Sequence, residues 1–276
     1  MEPKSVVEQA VGWLKDHLAE EISIEEMAET AGVTPFHFLR TFRHWTGVTP
    51  ALYLSALRLE EAKRLLLTTD RSVTDICFDV GYNSLGTFTT RFTQLVGLSP
   101  SRLRQLGSGF RLDGLAGAVE HLGAATAGGQ APRTTTIGGS LFAAEPPSGV
   151  IFLGLFGHPL PQQRPFACTL LSAPGEFRLK APKLGRYYLF AACFAPTFDP
   201  VDFLLSSRAV RQVGSAGPFD LRGGDGPVEG VRVRMRPMTA LDPPLLVALP
   251  LLVAERRART TLRESGDVIR LASAPA

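Results

Sequence analysis

Five residues recur at a fixed spacing in the first hundred positions of this chain. Ser23, Gly32, Phe42, Gly47 and Pro50 are matched by Ser72, Gly81, Phe92, Gly97 and Pro100, at an offset of 49 and then 50 residues. An internal repeat of this period means two copies of one supersecondary unit. Its punctuation says which unit. Serine is a helix N-cap, glycine lies just past a helix end, and proline opens the first turn of the next helix.

Between these marks the apolar residues keep a helical period. Val7, Ala10, Val11, Leu14 and Leu18 fall at three- and four-residue steps, one face of a first helix. Ser23 and Glu26 have capping-box spacing ahead of a short helix that stops at Gly32. Thr34-Pro35 opens the next helix and Gly47 closes it, after which Thr49-Pro50 starts a long helix over residues 50–67. Ser72 and Asp75 repeat the capping-box spacing, residues 83–97 repeat the second helix, and Ser99-Pro100 opens a last one. Each unit is helix, tight glycine turn, helix. Residues 1–106 are therefore expected to form an all-α domain of seven helices holding two helix-turn-helix units.

The remainder reads differently. Residues 107–147 are rich in Gly, Ala, Ser and Thr, which predicts a linker with one short helix at 113–122. From residue 148 the period switches to two. "VIFLGLF", "FACTLL", "EFRLK", "RYYLFAACF", "AVRQV" and "VRVRMR" are short β-branched or aromatic runs parted by Pro and Gly, the pattern of an all-β sandwich domain over 148–276. A tail at 242–263 reads as helical. The fold class predicted is multi-domain α + β.

Composition excludes some functions. The first ten residues lack the apolar core of a signal peptide, and the longest apolar run, 245–254, contains Pro250. A membrane span needs about 20 apolar residues, so a cytoplasmic protein with no membrane partner is expected. Cys77, Cys168 and Cys193 are too scattered for a disulfide framework or a four-ligand zinc site. Neither metal nor cofactor is expected.

Charge is informative only in its placement. The net charge is +3, and residues 1–106 hold 11 Lys+Arg against 13 Asp+Glu. No Asp or Glu occurs between residues 30 and 59, or between 80 and 112. These windows contain the second helix of each unit, together with His37, Arg40, Arg43, His44 and Arg58 in one and Arg91, Arg102, Arg104 and Arg111 in the other. A surface that meets phosphate must be free of carboxylates. With the repeat, this points to double-stranded DNA as the partner.

Spacing then separates core from surface. Phe38 and Phe42, like Phe88 and Phe92, are i,i+4 pairs that pack beneath their helices. The opposite sides present Phe36, Leu39 and Arg40 in the first unit, and Ser84, Leu85, Gly86, Thr87, Thr89 and Thr90 in the second. Those are the expected base-contacting positions in a major groove, with Arg40 suited to guanine and the threonines to thymine methyls or bridging water. His37, Arg43, Arg91 and Arg102 are the expected phosphate contacts. One long helix between two readers sets them about one DNA turn apart.

The segments "SIEEMAETAGVTPFHFLRTFRHWTGVTPALYL" and "SVTDICFDVGYNSLGTFTTRFTQLVGLSPSRLR" resemble the DNA-binding domain of AraC/XylS-family transcription regulators. The resemblance covers residues 5–106. It implies transcription regulation, more often activation, with RNA polymerase as a partner and with the first unit reading bases more consistently than the second. Two positions depart from the family pattern: Leu39 stands where a polar residue is common, and Thr90 where Arg is common, with Arg91 beside it.

In the family the sensor more often precedes the DNA-binding part; here the second domain follows it. "GEFRLKAPKLGRYYLFAA" resembles transthyretin-like or carboxypeptidase-regulatory-like β-sandwiches, which leaves a small-molecule effector, and the residues that would bind it, unspecified. His158, Arg164, Arg178 and Arg186 can coordinate an anion or simply be surface residues. The competing reading makes this domain a protein-interaction or dimerisation module. Catalysis has no motif to stand on: Cys168 and Cys193 lack an activating His neighbour, and no P-loop, His-Glu-x-x-His or Gly-x-Ser-x-Gly occurs.

Overall fold

In the computed structural model, which describes residues 2–108, 135–162, 165–181, 184–195, 205, 208, 210–222 and 226–247, the helical part folds as seven helices. They are α1 (Pro3–Asp16), α2 (Ile24–Thr30), α3 (Pro35–Thr46), α4 (Pro50–Thr68), α5 (Val73–Asp79), α6 (Leu85–Val96) and α7 (Pro100–Ser108). Caps explain most of their starts. The side chains of Ser23, Thr34, Thr49, Ser72 and Ser84 each accept a backbone N–H three residues on. Glu26 completes the first capping box by taking the Ser23 N–H at 2.7 Å. Asp75 does not do the same for Ser72. Its carboxylate takes only the Ser72 hydroxyl, at 2.7 Å, because Asp is one methylene shorter than the Glu of that motif.

The two turns are copies of each other. Gly32 N–H donates to Glu29 O and Val33 N–H to Ala28 O; Gly81 N–H donates to Phe78 O and Tyr82 N–H to Cys77 O. This paired arrangement is the Schellman motif, and it satisfies carbonyls that the helix end leaves open. Both copies then enter their second helix within a few residues.

Among the described residues seven strands follow: β1 (Thr135–Ala143), β2 (Val150–Phe156), β3 (Ala167–Leu171), β4 (Glu176–Ala181), β5 (Gly185–Phe194), β6 (Val210–Leu221) and β7 (Val228–Pro237). Their hydrogen-bonded order is β3-β2-β5-β6-β7-β1-β4. The strands at the two ends of this order, β3 and β4, touch, so the sheet is barrel-like. Among the paired strands the shortest ladder is β6–β7, at Gln212–Pro237 and Val213–Arg236, while β3 and β4 meet without a described ladder. The expectation was of two packed sheets; the pairing here is continuous.

Two expectations need correction. β1 lies inside the stretch 107–147 assigned to a linker, and it is an interior strand, parallel to β7 and antiparallel to β4. Its Gly138-Gly139 looked like linker composition. A Cβ on Gly139 would overlap the backbone of Val231, so the glycine is there because β7 approaches closely at a register shift. The tail expected as a helix is irregular over residues 242–247. Residues 248–263 and the helix expected at 113–122 lie outside the described residues.

One apolar core fills the sheet, with Ile137, Ile151, Leu153, Leu155, Leu179 and Leu189 among its members. β2 is buried on both faces, which is why it reads as an unbroken apolar run. Phe152 and Phe156 on its other face, with Ala192, Phe194 and Val210, join one continuous cluster with Leu59, Leu66, Phe88 and Phe92 of the helices. Leu160 and Leu241 join the cluster of Phe38, Phe42 and Tyr53 in the first unit. The long helix α4 is consequently covered along its length. Even Lys63 is fully buried, its Nζ 2.9 Å from Glu60 Oε2.

Candidate DNA-binding surface

The two second helices are each anchored by a pair of buried phenylalanines. The rings of Phe38 and Phe42 are 5.4 Å apart and those of Phe88 and Phe92 5.6 Å, and all four side chains are fully buried. Burying one such ring contributes about 1.5–3 kcal/mol. With those faces inward, the opposite faces of α3 and α6 point to solvent.

On α3, Phe36, Arg40 and Arg43 are exposed and His37 and Leu39 half-buried. Phe36, an aromatic ring left 77% exposed, has no folding reason to be where it is. The His37 backbone N–H is taken by Thr34 Oγ1 and its ring Nε2 lies 3.4 Å from Thr41 Oγ1. On α6, Leu85, Gly86, Thr87, Thr90 and Arg91 are exposed and Thr89 is half-buried. Ser84 is the exposed N-cap, its hydroxyl accepting the Thr87 N–H. Arg102 sits apart on α7, half-buried, and donates to Gln105 Oε1 at 2.7 Å.

Two arginines of the acid-free windows do something else. Arg58 donates to the carbonyls of Leu18 at 2.8 Å and Glu20 at 2.6 Å, tying α4 to the α1–α2 connection. Arg104 holds the carbonyls of Leu66 and Arg71 from α7. Both are internal clamps, so the basic outer surface is smaller than the residue count implied. Arg111 lies outside the described residues. In the other direction, His44 stands in the first window but Gln94 was missed. They occupy equivalent exposed positions, and Gln94 continues the i, i+3, i+4, i+7 stripe of Thr87, Thr90 and Arg91, a spacing that marks them as neighbours on one face.

Two of the arginines considered for an effector are held in surface ion pairs. Arg178 pairs with Glu229 at 3.0 Å and Arg186 with Asp220 at 2.7 Å, on the surface; Arg164 lies outside the described residues. Burial pushes the thiols of Cys77 and Cys193 above the ordinary range, away from the thiolate that a nucleophile needs. Among the described residues no group of His, Cys, Asp or Glu could hold a metal ion, and no helix is long and apolar enough to cross a membrane.

Residues 27–106 match the family described as a helix-turn-helix domain. The HTH-type transcriptional activator RhaS of Enterobacter sp. (strain 638) is 40% identical over 97 residues, which is 35% of this chain and 35% of that protein. RhaS of Escherichia coli O139:H28 is 37% identical over 100 residues, 36% of each. The chain thus spans about a third of the length of the curated relatives it matches. Among solved structures, the DNA-binding domain of AdpA in complex with a target DNA is 31% identical, with a TM-score of 0.36, over 37% of this chain and 93% of that one. A transcriptional regulator with an AraC-type DNA-binding domain from Chromobacterium violaceum is 25% identical, with a TM-score of 0.37, over 38% and 94%. The family match and the RhaS relatives identify a helix-turn-helix DNA-binding domain in the helical part of the chain.

Proposed function

We propose that this chain is a sequence-specific DNA-binding transcription regulator, an activator, that reads two successive major grooves with α3 and α6. The observation that carries the reading is that two helices on copied scaffolds both turn acid-free faces outward while a single buried helix, α4, joins them. Phe36, Leu39 and Arg40 contact bases from α3; Ser84, Leu85, Thr87, Thr89 and Thr90 do so from α6. His37, Arg43, Arg91 and Arg102 contact phosphate. The strand-rich part is a transthyretin-like regulatory domain that answers to an effector, and RNA polymerase is the downstream partner, as the activator name of the RhaS relatives suggests.

Selection of binding sites from random duplex DNA by the full-length protein tests this. Two short motifs about 10–10.5 base pairs apart are expected, matching one helical turn between readers. Enrichment of a single motif, or of none, would refute the tandem reading.

A further inference from the structure

After β7 the chain runs as an irregular strap, residues 238–247, packed against Phe190 and Val213 on the outward side of the sheet. Three roles meet at one residue of this strap. The Asp242 carboxylate takes a bidentate pair from Arg236 at 2.5 and 2.7 Å, and the Thr239 N–H at 2.7 Å. Its backbone carbonyl lies 3.3 Å from the hydroxyl of Tyr53 on α4, which donates to Ala240 O at 2.8 Å. Its side chain also lines a cavity of about 230 Å³ between strap and sheet.

The polar edge of that cavity is basic. Arg232, Arg234 and Arg236 alternate along β7, all exposed. Arg232 lies over the Phe142 ring at 4.9 Å and Arg236 is paired with Asp242. Arg234 lines the cavity with no acidic partner among the described residues. The facing wall is apolar, with Phe190, Val213, Met238 and Leu245. A row of like charges at two-residue steps along a strand is about 7 Å apart, a repulsion that a bound anion relieves.

We propose that this cavity binds a small organic monocarboxylate, its charge held by Arg234 and Arg236 and its hydrocarbon part by the apolar wall. The bound carboxylate competes with Asp242 for Arg236, loosens the strap, and so releases Tyr53 on the helix that spaces the two DNA readers. The cavity stands on its own geometry; its effect on DNA rests on the function proposed above.

Titration calorimetry of the full chain with linear carboxylates of four to eight carbons, beside the alcohols of equal length, decides the first part. At least one carboxylate should bind saturably and about tenfold or more tighter than its alcohol, the worth of one charge-assisted hydrogen bond. Arg234→Gln should weaken it by a similar factor and leave affinity for the selected duplex unchanged. Equal binding of acid and alcohol, no saturable acid, or indifference to Arg234→Gln each removes the site. For the second part, the carboxylate should change duplex affinity several-fold in the native protein and not in Tyr53→Phe, which should still bind it. Arg234-dependent binding without any change at the duplex refutes the coupling. A protein that binds no duplex at all refutes the DNA reading while the titration still decides the site.

Discussion

The helix α3 of the first unit shows Phe36, Arg40 and Arg43 to solvent, and the equivalent positions of α6 are Gly86, Thr90 and Thr93. Beneath these faces almost nothing differs. Phe38 and Phe42 are matched by Phe88 and Phe92, the glycine turns make the same hydrogen bonds, and Gly47 and Gly97 end the helices in the same left-handed conformation. Packing tolerates little change in a buried ring or a tight turn, so the copies stay alike where they are buried. Outward faces carry no such constraint. One copy offers a long bidentate donor that can read guanine, the other small hydroxyl and methyl groups.

The largest effects should fall on what the copies share. Phe42→Ala and Phe92→Ala are each expected to cost about 3–5 kcal/mol, the usual loss for an aromatic ring in a closed core. Denaturant unfolding followed by circular dichroism measures both. A cost below about 1 kcal/mol in one copy alone would break the equivalence of the two scaffolds.

The glycine turns should separate the copies despite their identical hydrogen bonds. Gly32 has φ +65° with open space where a Cβ would be. Gly81 has φ +85°, and a Cβ there would come 2.5 Å from Leu18 O and 3.0 Å from the Arg58 guanidinium. Gly32→Ala should then cost about 1–2 kcal/mol for the left-handed backbone. Gly81→Ala should cost roughly 2–4 kcal/mol, because overpacking is added. Equal losses by the same unfolding measurement would mean that the Arg58 clamp yields freely.

That clamp illustrates what a sequence can and cannot disclose. The helices were legible because their caps, glycines and i,i+4 aromatic pairs act within a few residues. Arg58 and Arg104 looked like part of a basic face, since nothing local says that their partners are carbonyls 33–40 residues away along the chain. β1 was missed for a related reason. Gly139 is required by the approach of Val231, nearly a hundred residues on, and a strand that needs glycine resembles a linker. The tail expected as a helix over 242–263 opens with Asp242-Pro243-Pro244, and its described residues, 242–247, are irregular, with the Tyr53 hydroxyl lying 3.3 Å from the Asp242 carbonyl.

At the DNA surface the difference between the copies becomes a difference in kind. Arg40→Ala should cost about 1–3 kcal/mol on the selected duplex and relax preference at one base pair. Arg91→Ala should weaken binding alike on selected and random duplexes, and reduce the slope of log affinity against log salt by about 1. Fluorescence anisotropy on both duplexes at several salt concentrations separates the two. Equal losses from Arg40→Ala on both duplexes would make Arg40 a phosphate contact and leave the first unit no more specific than the second.

The smallest difference lies at the caps of α2 and α5. Hydrogen bonds from the Ser23 backbone N–H and then from its hydroxyl hold the Glu26 carboxyl below its ordinary range. A carboxylate depressed in the folded state stabilises the fold above its unfolded pKa, and that contribution is lost as pH falls through the lower folded value. Glu26 is fully solvent-exposed, so screening keeps the effect slight. Glutamine can replace Glu in the box without titrating, and Glu26→Gln should flatten this part of the acid limb of the unfolding profile while leaving stability at neutral pH almost unchanged. Asp75 accepts no N–H from Ser72 whereas Glu26 accepts that of Ser23, so Glu26→Ala should cost more than Asp75→Ala, within the roughly 0.5–2 kcal/mol typical of cap removal. Equal costs for the two acids would show that the reciprocal bond adds nothing to the hydroxyl cap, and that the copies differ only on their outer faces.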